Sequence, residues 1–100
     1  MQRNEFDEKL YIAMHPVRRQ IMMIIHANTK SYAKKLADKL GLDPKMAQFH
    51  LSMLEKNGLI DSEFGLETPA EGRPVAVRYY KLTRDGRELI EFVRKMTRPT

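Results

Sequence analysis

Apolar residues recur at helical spacing through the first half of the chain. Phe6, Leu10, Ala13 and Met14 fit one side of a helix over residues 4–14, and His15-Pro16 interrupts it. Pro16 suits the first turn of a new helix, where a backbone N–H has no partner to lose. Val17, Ile21, Ile24 and Ile25 give that second helix a strongly apolar side, so it is expected to be the most buried element. Asn28, Thr29 and Ser31 are N-cap candidates for a third helix, SYAKKLADKL, with Ala33, Leu36, Ala37 and Leu40 inward and Gly41 as its stop. Asp43-Pro44, an N-cap followed by a first-turn proline, opens a fourth helix that runs to Asn57-Gly58.

The period then changes. Residues 59–64 fit a strand, Gly65, Pro69, Gly72 and Pro74 mark a turn-rich stretch, and VAVRYYKLT has the β-branched and aromatic content of a second strand. Tyr80 and Leu82 share one face of that strand and should close the core beneath the fourth helix, with Tyr79 and Lys81 pointing the other way. Thr83 and Asp85 precede RELIEFVRKM, whose Leu89, Ile90, Phe92, Val93 and Met96 mark a last amphipathic helix over residues 84–98. The predicted fold class is mainly α with a small β-hairpin (α+β), a single domain over residues 1–100. Residues 31–57 have the sequence form of a helix-turn-helix, a form that an ordinary helical hairpin shares, and residues 59–83 form a hairpin behind it. That order of elements is the order of a dimeric winged helix. The methionines at 14, 22, 23, 46 and 53 are expected as core filler.

Charge adds a partner class. Lys and Arg number 18 against 13 acids, a net charge of +5 that favours an acidic partner such as nucleic acid. Asp61, Glu63, Glu67 and Glu71 stand in residues 59–72 with no base among them, so the positive charge is concentrated elsewhere. The absence of cysteine excludes disulfide scaffolds and thiolate metal sites and accords with a reducing cytoplasm. The longest apolar run, IMMII at 21–25, falls well short of the roughly 20 residues that cross a bilayer, and MQRNEFDEK lacks the form of a signal peptide. A soluble cytoplasmic protein without a membrane partner is expected. Scattered serines and unpaired carboxylates assemble no nucleophile or acid–base set, so neither an enzyme nor a cofactor is expected. His50, beside Ala47 and Leu54, is expected as a buried histidine bonded to backbone; His15 and His26 lack a ligand-type residue at i,i+4, and no metal site is expected.

The outer side of the fourth helix carries Lys45, Gln48, Phe49, Ser52 and Lys56. It has no i,i+4 charge pairs and sets an aromatic ring among donors, which suits a surface meant to touch something other than water. As DNA contacts, Gln48 and Phe49 would reach base edges while Lys45, Ser52 and Lys56 hold phosphates; Phe49 would meet a thymine methyl or else cover the hairpin base. Arg73, between Gly72 and Pro74, is the candidate for a minor groove. Arg78, Lys34 and Lys35 are candidates for phosphate contact, with a solvated charge as the ordinary alternative. The apolar sides of the terminal helices, Phe6, Leu10 and Met14 with Leu89, Phe92, Val93 and Met96, exceed what one small core covers and predict a homodimer interface.

The runs HPVRRQIMMI, LADKLGLDPKMAQFHLSMLEKNGLI and GRPVAVRYYKLTRDG, in this order and spacing over residues 15–86, resemble the ArsR-type winged-helix transcription regulators. The resemblance implies a homodimer that binds double-stranded DNA with residues 44–57 as the recognition helix. Gln48 stands where that family usually has serine, so the position's base-facing role carries over and no base preference does. The cysteine pair and the last-helix histidine through which many members sense metals are absent, the hairpin is longer, and its first strand is acidic. The sequence names no effector. A winged helix serving only as a protein-interaction module is the competing expectation, with Phe49 as its contact.

Overall fold

The structure, a computed structural model describing residues 2–28 and 30–97, contains α1 (Arg3–Met14), α2 (Pro16–Ala27), α3 (Ala33–Leu40), α4 (Pro44–Lys56), β1 (Ile60–Glu67), β2 (Val75–Leu82) and α5 (Arg84–Thr97). The break after α1 is made by His15, whose Nδ1 accepts from the Val17 N–H at 3.2 Å while Pro16 takes the first helical position of α2. At the other end of α2, Asn28 donates from Nδ2 to the Ile24 carbonyl at 2.8 Å, so it closes this helix and does not open the next. Ser31, also expected as a cap, instead forms a bridge to the hairpin: its carbonyl accepts from the Tyr80 N–H at 2.8 Å. Thr29, the third cap candidate, and Arg98, at the end of the predicted last helix, lie outside the described residues.

The turn between α3 and α4 follows its sequence signals. Gly41 adopts a left-handed φ of 65°, which costs glycine nothing, and the Asp43 carboxylate accepts from the Lys45 N–H at 2.7 Å ahead of Pro44. The core gathers around α2, which packs on α1, α4, α5 and β2. Ile21, Met22, Leu36, Leu51, Leu54, Leu59, Ile60, Leu89 and Ile90 are fully buried, each contributing about 1.5–3 kcal/mol of apolar transfer. Of the five methionines expected as filler, only Met22 belongs to this core. Met14, Met23 and Met46 are exposed and Met53 is half-buried, because each stands beside the buried stripe of its helix and not on it.

The strands pair antiparallel, with Ile60 opposite Leu82 and Glu67 opposite Val75. Thus β1 continues three residues past the predicted end at 64. Gly65, expected in the turn, is a strand residue over which the Tyr79 ring lies, and a Cβ at that position would run into the ring. Tyr80 and Leu82 face the core as expected. The base of the hairpin is pinned by Thr83: its N–H donates to the Leu59 carbonyl at 3.1 Å and its hydroxyl donates to the Gly58 carbonyl at 2.7 Å. That same hydroxyl accepts from the Gly86 N–H at 3.0 Å, which caps α5.

The terminal helices pack against each other within the chain. Phe6 and Phe92 meet edge to face with centroids 5.2 Å apart, and Lys9 pairs with Asp85 at 2.8 Å. Leu89 and Val93 are fully buried in the chain's own core, which takes them out of the predicted dimer surface. Phe92, Met96 and Met14 remain exposed beside the half-buried Phe6 and Leu10.

Candidate nucleic-acid interface

Helix α4 divides cleanly. Ala47, His50, Leu51 and Leu54 are buried, which fixes the rotation of the helix and leaves Lys45, Gln48, Phe49, Ser52 and Lys56 exposed on its other side. The Gln48 amide donates to the Ser52 hydroxyl at 3.4 Å, one turn on, and Phe49 stays 53% exposed with its ring edge to face against His50. On α3, Lys34 and Lys35 are exposed, and the Lys35 ammonium donates to the Lys30 carbonyl at 3.4 Å. Arg73 is exposed in the turn between the strands, just after Gly72 with its positive φ of 119°.

Arg78 differs from the other predicted cations. Its guanidinium lies 5.0 Å from the centroid of the Phe64 ring, and Nη1 is 3.9 Å from a Glu55 carboxylate oxygen. Glu55 in turn accepts from the Ser62 hydroxyl at 2.6 Å, so the last turn of α4 is tied to both strands of the hairpin. Glu55 has no signature in the sequence, since nothing in a carboxylate near a helix end marks a partner across the following turn. On the opposite face of the hairpin the Tyr79 hydroxyl donates to Glu67, a bond that, with some burial, pushes the phenol up to about 12.

Behind Phe49, His50 sits in a buried polar cluster. Arg18, on the apolar side of α2, donates from Nε to the Ile12 carbonyl at 2.7 Å and from Nη1 to His50 Nδ1 at 3.2 Å. The partner of His50 is thus a side chain, not the backbone expected. An arginine only donates, so Nδ1 accepts and the neutral ring carries its proton on Nε2, which is buried without a partner among the described residues. The His15 ring lies 4.7 Å away by centroid. Arg18 was also missed, although its spacing of three and seven from Ile21 and Ile25 placed a charge on an apolar stripe.

Burial first, then His15 and Arg18, hold the His50 imidazole below its ordinary pKa of 6.5. The folded state therefore binds fewer protons here than the unfolded chain, and this contribution to stability is complete above pH 6.5 and is lost as pH falls below it toward the folded value. Urea midpoints measured from pH 7.5 down to pH 5 are expected to fall, and His50→Gln, which keeps an acceptor for Arg18, should flatten that dependence. Equal slopes in the two proteins would assign the acid sensitivity elsewhere.

Among the described residues no group of three histidine or acidic side chains could hold a metal ion, and no helix is long and apolar enough to cross a membrane. A search of curated proteins found no match. Among solved structures, HlyU from Vibrio cholerae N16961 is similar at 22% identity and a TM-score of 0.67, over 97% of this chain and 98% of that one. The transcriptional regulator homologue protein from Pyrococcus horikoshii OT3 gives 25% identity and a TM-score of 0.67 over 93% and 90%. A possible transcriptional regulator for arsenical resistance gives 22% and 0.63 over 88% and 81%. Residues 13–63 match the family model of a helix-turn-helix domain. With α3 and α4 as its helix pair and the β1–β2 hairpin as its wing, the chain belongs to the helix-turn-helix domain family, in the winged form.

Proposed function

We propose that the protein is a sequence-specific, double-stranded DNA-binding transcription regulator of ArsR type that acts as a homodimer. Helix α4 is the recognition helix and lies in the major groove, with Gln48 and Phe49 toward base edges and Lys45, Ser52 and Lys56 toward phosphates. Lys34 and Lys35 approach the backbone from α3, and Arg73 reaches a minor groove from the wing tip. Arg78 reaches phosphate only by giving up its ion pair with Glu55. The acidic side chains of β1 confine the wing's contact to its tip. The dimer forms through α1 and α5, with Phe92, Met96 and Met14 at its centre and Phe6 and Leu10 beneath them.

The observation that carries this proposal is the one-sided burial of α4: its apolar half is spent on the core, and the exposed half combines two lysines, an amide, a hydroxyl and an aromatic ring. A surface meant only for water gains nothing from that set. The names of the similar structures support the regulatory part.

Selection of bound duplexes from a random pool, followed by salt titration, tests it. Gln48→Ala is expected to relax base preference and to cost about 1–3 kcal/mol on the best site. Lys45→Ala and Lys56→Ala should weaken all duplexes alike and each lower the log–log salt slope by about one unit. Failure of the unmodified protein to show any salt-dependent duplex binding would overturn the proposal and leave the fold as a protein-interaction module.

A further inference from the structure

Strand β1 leaves one edge open. Its inner edge pairs with β2, and β2 pairs in turn with Ser31, but among the described residues nothing pairs with the outer edge of β1. The Tyr80 N–H points to the Ser31 carbonyl, away from β1, so the Tyr80–Ser62 pair exchanges no hydrogen bonds. Antiparallel pairs alternate in this respect, which turns the backbone N–H and C=O groups of Ser62, Phe64 and Leu66 outward. Of these groups only the Leu66 carbonyl has a partner among the described residues, the Tyr79 hydroxyl at 3.3 Å. The side chains of the same strand divide by face. Asp61, Glu63 and Glu67 stand on one side of the hairpin with Tyr79 and Val77, while Phe64 and Leu66 stand on the other with Ala76 and Arg78. Phe64 and Leu66 are 74% and 69% exposed. Arg78 is engaged by Glu55, Glu67 by the Tyr79 hydroxyl, and Lys81 lies opposite Asp61; Glu63 has Tyr79 opposite and makes no hydrogen bond or ion pair among the described residues.

These features select a partner. A row of outward peptide groups is completed by a further strand, and side chains opposite one another across that strand share a face. Phosphate is repelled by the carboxylates, and a second copy of β1 would lay the same carboxylates alongside them. We propose that the outer edge of β1 docks an extended segment of another protein in which basic and apolar residues alternate. Its backbone pairs with Ser62, Phe64 and Leu66, its bases lie beside Asp61 and Glu63, and its apolar side chains lie beside Phe64 and Leu66. One alternation thus satisfies both faces at once. The bond from Tyr79 to the Leu66 carbonyl closes the edge toward the turn, so the docked stretch is short. The docking edge is independent of the DNA-binding reading, which leaves the acids of β1 without a partner.

The probe is a fluorescent heptapeptide, capped at both ends, with lysine at odd positions and valine at even ones. Two peptides accompany it: one N-methylated at every residue, which keeps the charges and removes the backbone donors, and one with its lysines and valines in separate blocks. Fluorescence anisotropy is expected to show saturable binding of one alternating peptide per chain, weakened about tenfold or more in either companion peptide and about tenfold by Glu63→Lys. Hydrogen exchange should find the Phe64 and Leu66 amides open in the protein alone and slowed by the alternating peptide. Absence of saturable binding, equal affinity for the N-methylated peptide, unslowed amides or unchanged affinity in Glu63→Lys each overturns the docking edge. Phe64 and Leu66 amides that are protected in the protein alone, more so as its concentration rises, would assign the edge to a second copy and overturn it too. Glu63 is exposed, so thermal melting of Glu63→Lys is expected to be unchanged. Duplex binding by that variant should be at least as strong as in the unmodified protein, so the peptide and duplex readouts fail separately.

Discussion

Gly86→Ala is expected to destabilise the fold by about 3 kcal/mol or more, although alanine is the better helix former by about 1 kcal/mol. Gly86 lies in the first turn of α5, and a Cβ there would overlap the carbonyl oxygen of Leu59. That oxygen cannot yield cheaply: it accepts from the Thr83 N–H, and the Leu59 side chain is fully buried. Relief requires the start of the wing and the start of α5 to part, dragging core side chains with them. A domain of this length has a total stability of about 5–15 kcal/mol, so the loss is a large share of it. Gly41→Ala is the comparison. Nothing lies within 4 Å of an added Cβ there, and only the left-handed backbone, at about 1–2 kcal/mol, opposes the change. Urea denaturation of the two variants decides the point, and equal midpoints would remove the steric argument.

This constraint could not be read from the sequence, whereas much around it could. Helices α2 to α4 announce themselves because their boundaries are set by local chemistry: Pro16, Gly41 and Asp43-Pro44 act on their own backbone whatever the rest of the chain does. The inward faces of α4 and β2 follow from period alone, and with them the exposure of Lys45, Gln48, Ser52 and Lys56. Ambiguity begins where one residue type serves two purposes. Asn28 caps a helix end as readily as a helix start, and Gly65 suits a turn as well as a strand crossed by an aromatic ring. What stayed hidden is long-range: Arg18 on His50 across 32 positions, Glu55 on the wing, and Gly86 on Leu59 are pairings that the fold creates. The same holds for Leu89 and Val93. Their apolar character was plain, but whether the chain or a partner would cover them depended on how far α5 rotates onto the core.

Phe92→Asp should convert a dimer into a monomer and abolish most specific DNA affinity. Phe92 is 39% exposed beside Met96, which is 50% exposed, and the aspartate would place a charge at the centre of the proposed interface. The two recognition helices of a dimer would stand about 34–36 Å apart, one turn of DNA, so that binding one half-site delivers the other. Severing that link forfeits about 10²–10⁴ in affinity without touching any DNA contact. Because Phe92 also meets Phe6, at about 0.5–1.5 kcal/mol for such a pair, the variant loses some stability as well. Met96→Asp, which leaves that ring contact in place, separates the two effects. Sedimentation at micromolar concentration is the measurement. An unmodified protein that sediments as a monomer and binds an isolated half-site at full strength would defeat the dimer.

The knot of bonds at Thr83 leaves the far turn of the wing without influence on where α5 begins. Residues 58, 59 and 83 are joined directly, so both feet of the hairpin stand on one spot, and α5 starts from that spot and not from the far end of the strands. Lengthening or replacing the turn at residues 68–74 then changes a detachable finger while the helix that carries Phe92 keeps its station. Doubling such a turn costs only about 0.6 kcal/mol of closure entropy. Natural selection can therefore vary the reach of the tip as a cassette, and an engineer can graft one wing tip for another, without renegotiating the geometry of assembly.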